Sequence, residues 1–226
     1  MNTRHLKIIK SIFLKLSVCL LLAAFVQIPA IAFSEEKDAA KTLIIYYSRS
    51  GKTKLISETL AKNINADILE IKDPKDRSGW WGFMISGLDA FRHVHTPIEP
   101  EKPNIAPYSV IIVATPIWSW NVSTPIHTLF EKNSFDGKQL ILLTTANIHI
   151  MKYEKFGDDA PFIKRYLKGY LRDKRKAAET EVINTKGDFI GHYHFETQNI
   201  TDEQLIEETL KCADYVRGKL SGVNAS

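Results

Sequence analysis

Leu43-Ile44-Ile45-Tyr46-Tyr47-Ser48-Arg49-Ser50-Gly51-Lys52-Thr53 is the stretch on which the fold turns. An unbroken apolar run ends in a polar hexapeptide. From Lys52 the apolar residues return at helical spacing, at Leu55, Ile56, Leu60 and Ala61. A strand without polar alternation is one covered on both faces, as in parallel sheets. The chain here reads strand, loop, helix. Such a loop suits an anion, because the first N–H groups of a helix lack intrahelical partners and the dipole is positive there. Ser48, Ser50 and Thr53 add hydroxyls, and Gly51 allows close approach and unusual backbone angles. Gly51-Lys52-Thr53 resembles the tail of a nucleotide P-loop, but that motif needs a glycine where this chain has Tyr46, and no G-x-G-x-x-G loop occurs.

Outward from this stretch the pattern repeats. Asp67 to Lys72 predicts a second strand, Val110 to Ala114 a third, Gln139 to Thr144 a fourth and Phe189 to Phe195 a fifth. Ser123 or Thr124 opens a helix with Pro125 in its first turn. Asp159-Ala160-Pro161 opens another, and Arg172 to Lys176 reads as its solvated end. Thr201-Asp202-Glu203-Gln204 is a capping box for a last helix carrying Leu205, Ile206, Leu210, Ala213, Val216 and Leu220. Strands alternating with helices imply an α/β fold, a parallel sheet with helices on both faces.

The chain has 226 residues, 44% hydrophobic and 25% charged, with a formal charge of +4. The excess charge is local. Residues 1–32 carry Arg4, Lys7, Lys10 and Lys15 and no acid, so the remaining 26 basic residues equal the 26 acids. A neutral body argues against nucleic acid as a partner, which calls for clustered excess Lys and Arg. The first segment has the form of a secretory signal: a basic stretch, the apolar run Leu16 to Val26, and Ala30-Ile31-Ala32 as the cleavage site. The competing reading is an uncleaved anchor at residues 16–33. Either one places the body outside the cytoplasm, periplasmic or extracellular, with membrane contact only through the N-terminal segment. Residues 33–41 then form a linker and residues 42–221 the domain. Without Cys19 the body keeps Cys212 alone, on the patterned face of the last helix, where it reads as a small buried hydrophobe.

Three motifs together resemble the flavodoxin family. Tyr46 to Thr53 is similar to its phosphate loop, hydroxyl-x-hydroxyl-Gly-x-Thr. Thr115-Pro116-Ile117-Trp118 resembles its second loop. Ser123-Thr124-Pro125-Ile126 with Leu129-Phe130-Glu131-Lys132 resembles the helix that follows. The resemblance covers residues 42–220. It implies a flavodoxin-like doubly wound sandwich, a five-stranded parallel sheet of order 2-1-3-4-5, with FMN at the carboxyl ends of the strands. It places phosphate on Ser48, Arg49, Ser50, Gly51, Lys52 and Thr53. It places the ring between a loop of Thr115, Pro116, Ile117, Trp118, Ser119 and Trp120 and a third loop of Thr145, Ala146 and Asn147. Core packing is the competing role for Trp118 and Trp120. The implied activity is electron transfer or that of an NAD(P)H/quinone-type reductase, with donor and acceptor unspecified. The alternative is an exported binding protein of the same fold without redox activity.

Gly79 to Arg92, with Trp80 and Trp81 adjacent, resembles an inserted helical segment of some flavodoxin relatives. Covering the flavin, forming a homodimer contact, touching a membrane surface and packing on the domain are its four readings. His93 with His95 and His192 with His194 have the spacing of metal-ligand pairs, but nothing nearby in sequence completes a ligand set, so a structural role is expected. His149, after the fourth strand, is a candidate proton donor to a reduced flavin or quinone. No Ser/His/Asp or paired-carboxylate constellation supports hydrolysis.

Overall fold

The computed structural model describes residues 41–119, 121–146, 176 and 178–223. Strand β1 (Thr42–Tyr46) leads into helix α1 (Lys52–Ile64), then β2 (Asp67–Glu70) and helix α2 (Gly79–Phe91). Strand β3 (Val110–Trp118) follows, then β4 (Asn121–Val122), α3 (Thr124–Lys132), β5 (Gln139–Ala146), the helical residues 178–183, β6 (Asp188–Glu196) and α4 (Asp202–Val223). The sheet order is β2-β1-β3-β5-β6, with every pair along this path parallel. In the count of long strands this is 2-1-3-4-5, the doubly wound order with a switch point between β1 and β3.

The unbroken apolar strands work because successive side chains enter opposite cores. Leu43, Ile45, Ile111, Val113, Leu140 and Leu142 pack with Ile126, Leu129 and Phe130 of α3 and with Ala178 and Val182. Ile44, Tyr46, Ile112, Ala114, Ile141 and Leu143 pack on the other face with Ile56 and Leu60 of α1 and with Leu205, Cys212 and Val216 of α4. The capping box of α4 forms in both directions: the Thr201 N–H donates to Gln204 Oε1 at 3.0 Å, and the Gln204 N–H to Thr201 Oγ1 at 3.3 Å. Cys212 is buried, and that burial pushes its thiol up to about 12. In a Cys19→Ser chain we therefore expect Cys212 to resist a disulfide reagent under native conditions and to react fully once denaturant unfolds the domain.

The structure differs from the sequence expectation at the third strand. It does not stop at Ala114. Thr115 and Pro116 continue the parallel pairing against Thr144 and Thr145, and Ile117 and Trp118 turn back through Ser119 to pair antiparallel with β4. Ser119 makes this turn in the left-handed region, at φ 45. The helix predicted from Asp159, its basic end, His149 and the N-terminal signal or anchor fall largely or wholly outside the described residues. No described helix is long and apolar enough to cross a membrane.

Candidate functional site

The carboxyl ends of β1, β3 and β5 open into one pocket of about 700 Å³. Its polar end is the start of α1. Gly51 is the N-cap residue at φ 88, no side chain caps the helix, and its first turn carries no acid. The N–H groups there are thus left for an external acceptor. Arg49, Ser50, Lys52 and Thr53 line this end. Ser48 lies behind it, where its Oγ accepts the Gly51 N–H at 3.2 Å and shapes the turn. The Lys52 ammonium is held by Asp202 at 2.9 Å and by the Ile200 carbonyl at 3.1 Å, so it braces the loop against the start of α4. The Thr53 hydroxyl is buried 3.0 Å from Thr145 Oγ1, which ties the loop to the end of β5.

The apolar part of the pocket has two walls. One is Pro116, Ile117, Trp118 and Ser119, with Thr145, Ala146 and Thr197 beside them. Thr115 stands behind this wall, its Oγ1 accepting the Ser123 N–H at 3.2 Å and thereby fastening β3 to the start of α3. Trp118 is 6% exposed. Its ring meets Tyr47 edge to face at 5.5 Å and lies 5.3 Å from the Arg77 guanidinium carbon. Trp118 is therefore a core residue that also borders the pocket. Trp120 and Asn147 lie outside the described residues. Tyr47, against the Trp118 ring, has its phenol pushed up to about 12, first by burial and then by the Asp73 carboxylate.

The second wall is α2. Trp81, Met84, Ile85, Leu88 and Phe91 face the pocket, and Trp81 and Phe91 are 71% and 66% exposed. The opposite side of α2 is fastened down by a group of residues that the sequence reading did not single out. Arg77 donates to Asp73 and, at 2.9 Å, to Asp89 Oδ2, while the Thr96 hydroxyl donates to Asp73 at 2.9 Å. Lys75 reaches Asp89 at 2.7 Å, and Asn121 Nδ2 donates to the Ala90 carbonyl at 3.1 Å. Gly82 passes so close to the Arg77 backbone that no Cβ fits there. The apolar face therefore sits over the site because its polar face is anchored. A glycine inside a run of charges and aromatics was the available signal in the sequence.

The paired histidines have partners. His192 Nε2 and His194 Nδ1 both meet Thr144 Oγ1, at 2.8 and 2.7 Å, and His192 Nδ1 meets Glu179 at 2.9 Å. This is the structural role expected for that pair. His93 and His95 instead approach His127 of α3, with ring centroids at 5.2 and 5.4 Å.

No family model matches this chain, and no curated protein matches it. Solved structures do. A Bacteroides uniformis protein provisionally assigned as a flavoprotein is 18% identical with a TM-score of 0.50, over 75% of this chain and 97% of that one. A similarly assigned Bacteroides eggerthii protein is 19% identical with a TM-score of 0.47, over 77% and 98%. A Lactobacillus acidophilus flavoprotein in complex with FMN is 20% identical with a TM-score of 0.46, over 69% and 93%. With the strand order, the first of these likenesses defines the class: this is a protein of flavodoxin-like fold.

Proposed function

We propose that the pocket binds FMN and that the chain is a flavodoxin-like redox protein. One observation carries this reading. The pocket is apolar along α2 and Pro116–Ser119, and its polar end is an uncapped, acid-free helix start behind a left-handed glycine. A flat apolar ring joined to a phosphate dianion has this division of chemistry, and a helix start is where a phosphate is stabilised. The Bacteroides and Lactobacillus likenesses are consistent with the reading but add only the fold. The N–H groups of Ser50, Lys52 and Thr53 and the Ser50 hydroxyl would hold the phosphate. Pro116 to Ser119, with Thr145 and Ala146, would flank the ring. When bound, FMN supplies one- and two-electron chemistry, and the protein's part is orientation, water exclusion and electrostatic tuning.

Electron transfer and an NAD(P)H/quinone-type reductase activity, in which a nicotinamide donor reduces a quinone-type acceptor, both fit this site. The exposed apolar face of α2 offers room for a second flat molecule. By the leader-like residues 1–32, the activity is assigned outside the cytoplasm, with membrane contact confined to that segment. The test is FMN titration of the full chain, followed by flavin fluorescence. We expect submicromolar binding, reversible reduction of the complex, and roughly tenfold weaker binding for Ser50→Ala, the worth of one hydrogen bond to a charged group. No binding at tens of micromolar FMN would leave the alternative, a binding protein of this fold without redox activity.

A further inference from the structure

Away from the pocket, three elements bring five ligand-type side chains together. His93 and His95 come from the segment after α2, His127 and Glu131 from α3, and Glu181 from the helical residues 178–183. His127 and Glu131 are four residues apart and so share one face of α3. His127 is 12% exposed, whereas His95 and Glu131 are half exposed. From this arrangement we propose a new metal site, in which His95, His127 and Glu131 bind a divalent ion of the zinc class and Glu181 orients His127. The site does not depend on FMN binding.

His127 is the centre of the site. Its Nδ1 lies 2.8 Å from Glu181 Oε2. A carboxylate accepts only, so Nδ1 carries the proton and, in the neutral ring, Nε2 carries the lone pair. That Nε2 is buried and has no hydrogen-bond partner among the described residues. It faces Glu131 Oε1 at 3.6 Å, so in the neutral ring two acceptors confront each other with no proton between them. Such a pair is reconciled by a cation between the two atoms, either a second proton on the ring or a metal ion. Glu131 Oε2 is also 3.0 Å from His95 Nε2.

In a tetrahedral zinc site with bonds near 2.0–2.1 Å, neighbouring donor atoms stand about 3.3 Å apart. The observed distances, 3.6 Å from His127 Nε2 to Glu131 Oε1 and 3.0 Å from His95 Nε2 to Glu131 Oε2, run to the two oxygens of one carboxylate and bracket that spacing, so a small turn of the carboxylate brings a single oxygen to both nitrogens. All three donor atoms lie within 4.8 Å of one another. The His95 ring stacks on His127 at 21°, so coordination requires it to turn, and its exposure permits this. A histidine whose other nitrogen donates to a carboxylate is the usual orientation of a metal-bound imidazole. Two histidines and one carboxylate leave a fourth position for water. The second available triad, His93 with His127 and Glu181, would take Glu181 as a ligand and so give up its hydrogen bond to His127 Nδ1, and His93 is therefore assigned no bond to the metal. The ion would fasten the segment leaving α2 to α3.

The test strips the full chain of metal with a chelator, removes the chelator, and titrates Co2+ while following its visible absorption, with Zn2+ as competitor. We expect one equivalent bound at micromolar affinity or better, with the intensity of a four-coordinate site. His95→Asn and Glu131→Gln, both at exposed positions, are expected to fold as wild type by circular dichroism and to weaken binding by at least about 100-fold. Glu181→Gln is expected to weaken it by about 10–100-fold. His93→Asn should leave it unchanged. Failure to saturate at hundred-micromolar metal, or affinity unmoved by His95→Asn and Glu131→Gln, would overturn the proposal. Loss in His93→Asn with His95→Asn unaffected would overturn it too, by giving the metal to the other triad.

Discussion

Replacing Arg77 with alanine is expected to lower the unfolding free energy by about 3–5 kcal/mol, the cost of leaving a buried charge without its partner. Arg77 and Asp73 side chains are 2% and 1% exposed, so water cannot substitute for the missing guanidinium. The two carboxylates differ in what remains to them. Asp89 keeps Lys75, whose ammonium is half exposed, whereas Asp73 keeps the Thr96 hydroxyl and the Lys75 backbone N–H. Most of the loss therefore falls on Asp73. A double variant, Arg77→Ala with Asp73→Ala, is expected to lose less than the sum of the two single changes, because it removes the stranded charge with its partner. Midpoints of urea unfolding measure all three.

The same change should show a defined pH dependence. Burial raises the Asp89 pKa, but the hydrogen bonds and charges of Lys75 and Arg77 outweigh it and hold the group below its usual value of 3.8. A carboxyl with a depressed folded pKa adds stability above its unfolded pKa and loses it as pH falls through the folded value. The Asp89 share of the gap between wild type and Arg77→Ala should accordingly be full at neutral pH and be lost as pH falls below 3.8. An equal gap at both extremes would mean that the Arg77–Asp89 pair adds nothing to it.

Why the strands were readable and Arg77 was not has a physical answer. Residues 43–47, 110–114 and 140–143 are buried on both faces, so each position must be apolar and local sequence alone reports it. The Thr201–Gln204 box is likewise local, since its two hydrogen bonds join residues three apart. Lys72 to Arg77 is also local, but as a charged run it looks solvated. Only the return of α2 and Thr96 buries the Arg77 and Asp73 side chains within it. The continuation of β3 through Trp118 was hidden for a related reason: Thr115 and Pro116 are strand residues because β5 runs beside them. His127 sits unremarkably in an amphipathic helix, and its carboxylate partner 54 residues later could not be found by spacing. The loop at Ser48 to Thr53 was located from sequence, but its division of labour was not. Ser48, Lys52 and Thr53 brace it through bonds to Gly51, Asp202 and Thr145, and the helix amides remain for a ligand.

That division makes Gly51→Ala the sharpest test of the pocket. Gly51 sits at φ 88, where a side chain costs about 1–2 kcal/mol through its Cβ and the carbonyl that follows. In the free protein that is nearly the whole penalty, because a Cβ there meets nothing within 4 Å. The variant should thus fold, with a modest shift in its urea midpoint. Binding should suffer far more. The left-handed turn at Gly51 sets the direction of the uncapped amides of α1, and a residue strained there would turn those amides aside from a phosphate. We expect FMN affinity to fall about 100-fold, equivalent to ~2.7 kcal/mol and above the strain alone. Flavin fluorescence titration of the two proteins, beside their unfolding curves, separates the effects. If affinity fell only by as much as stability, or not at all, the start of α1 would not hold the phosphate. The pocket would then lose the polar end on which its assignment to FMN depends.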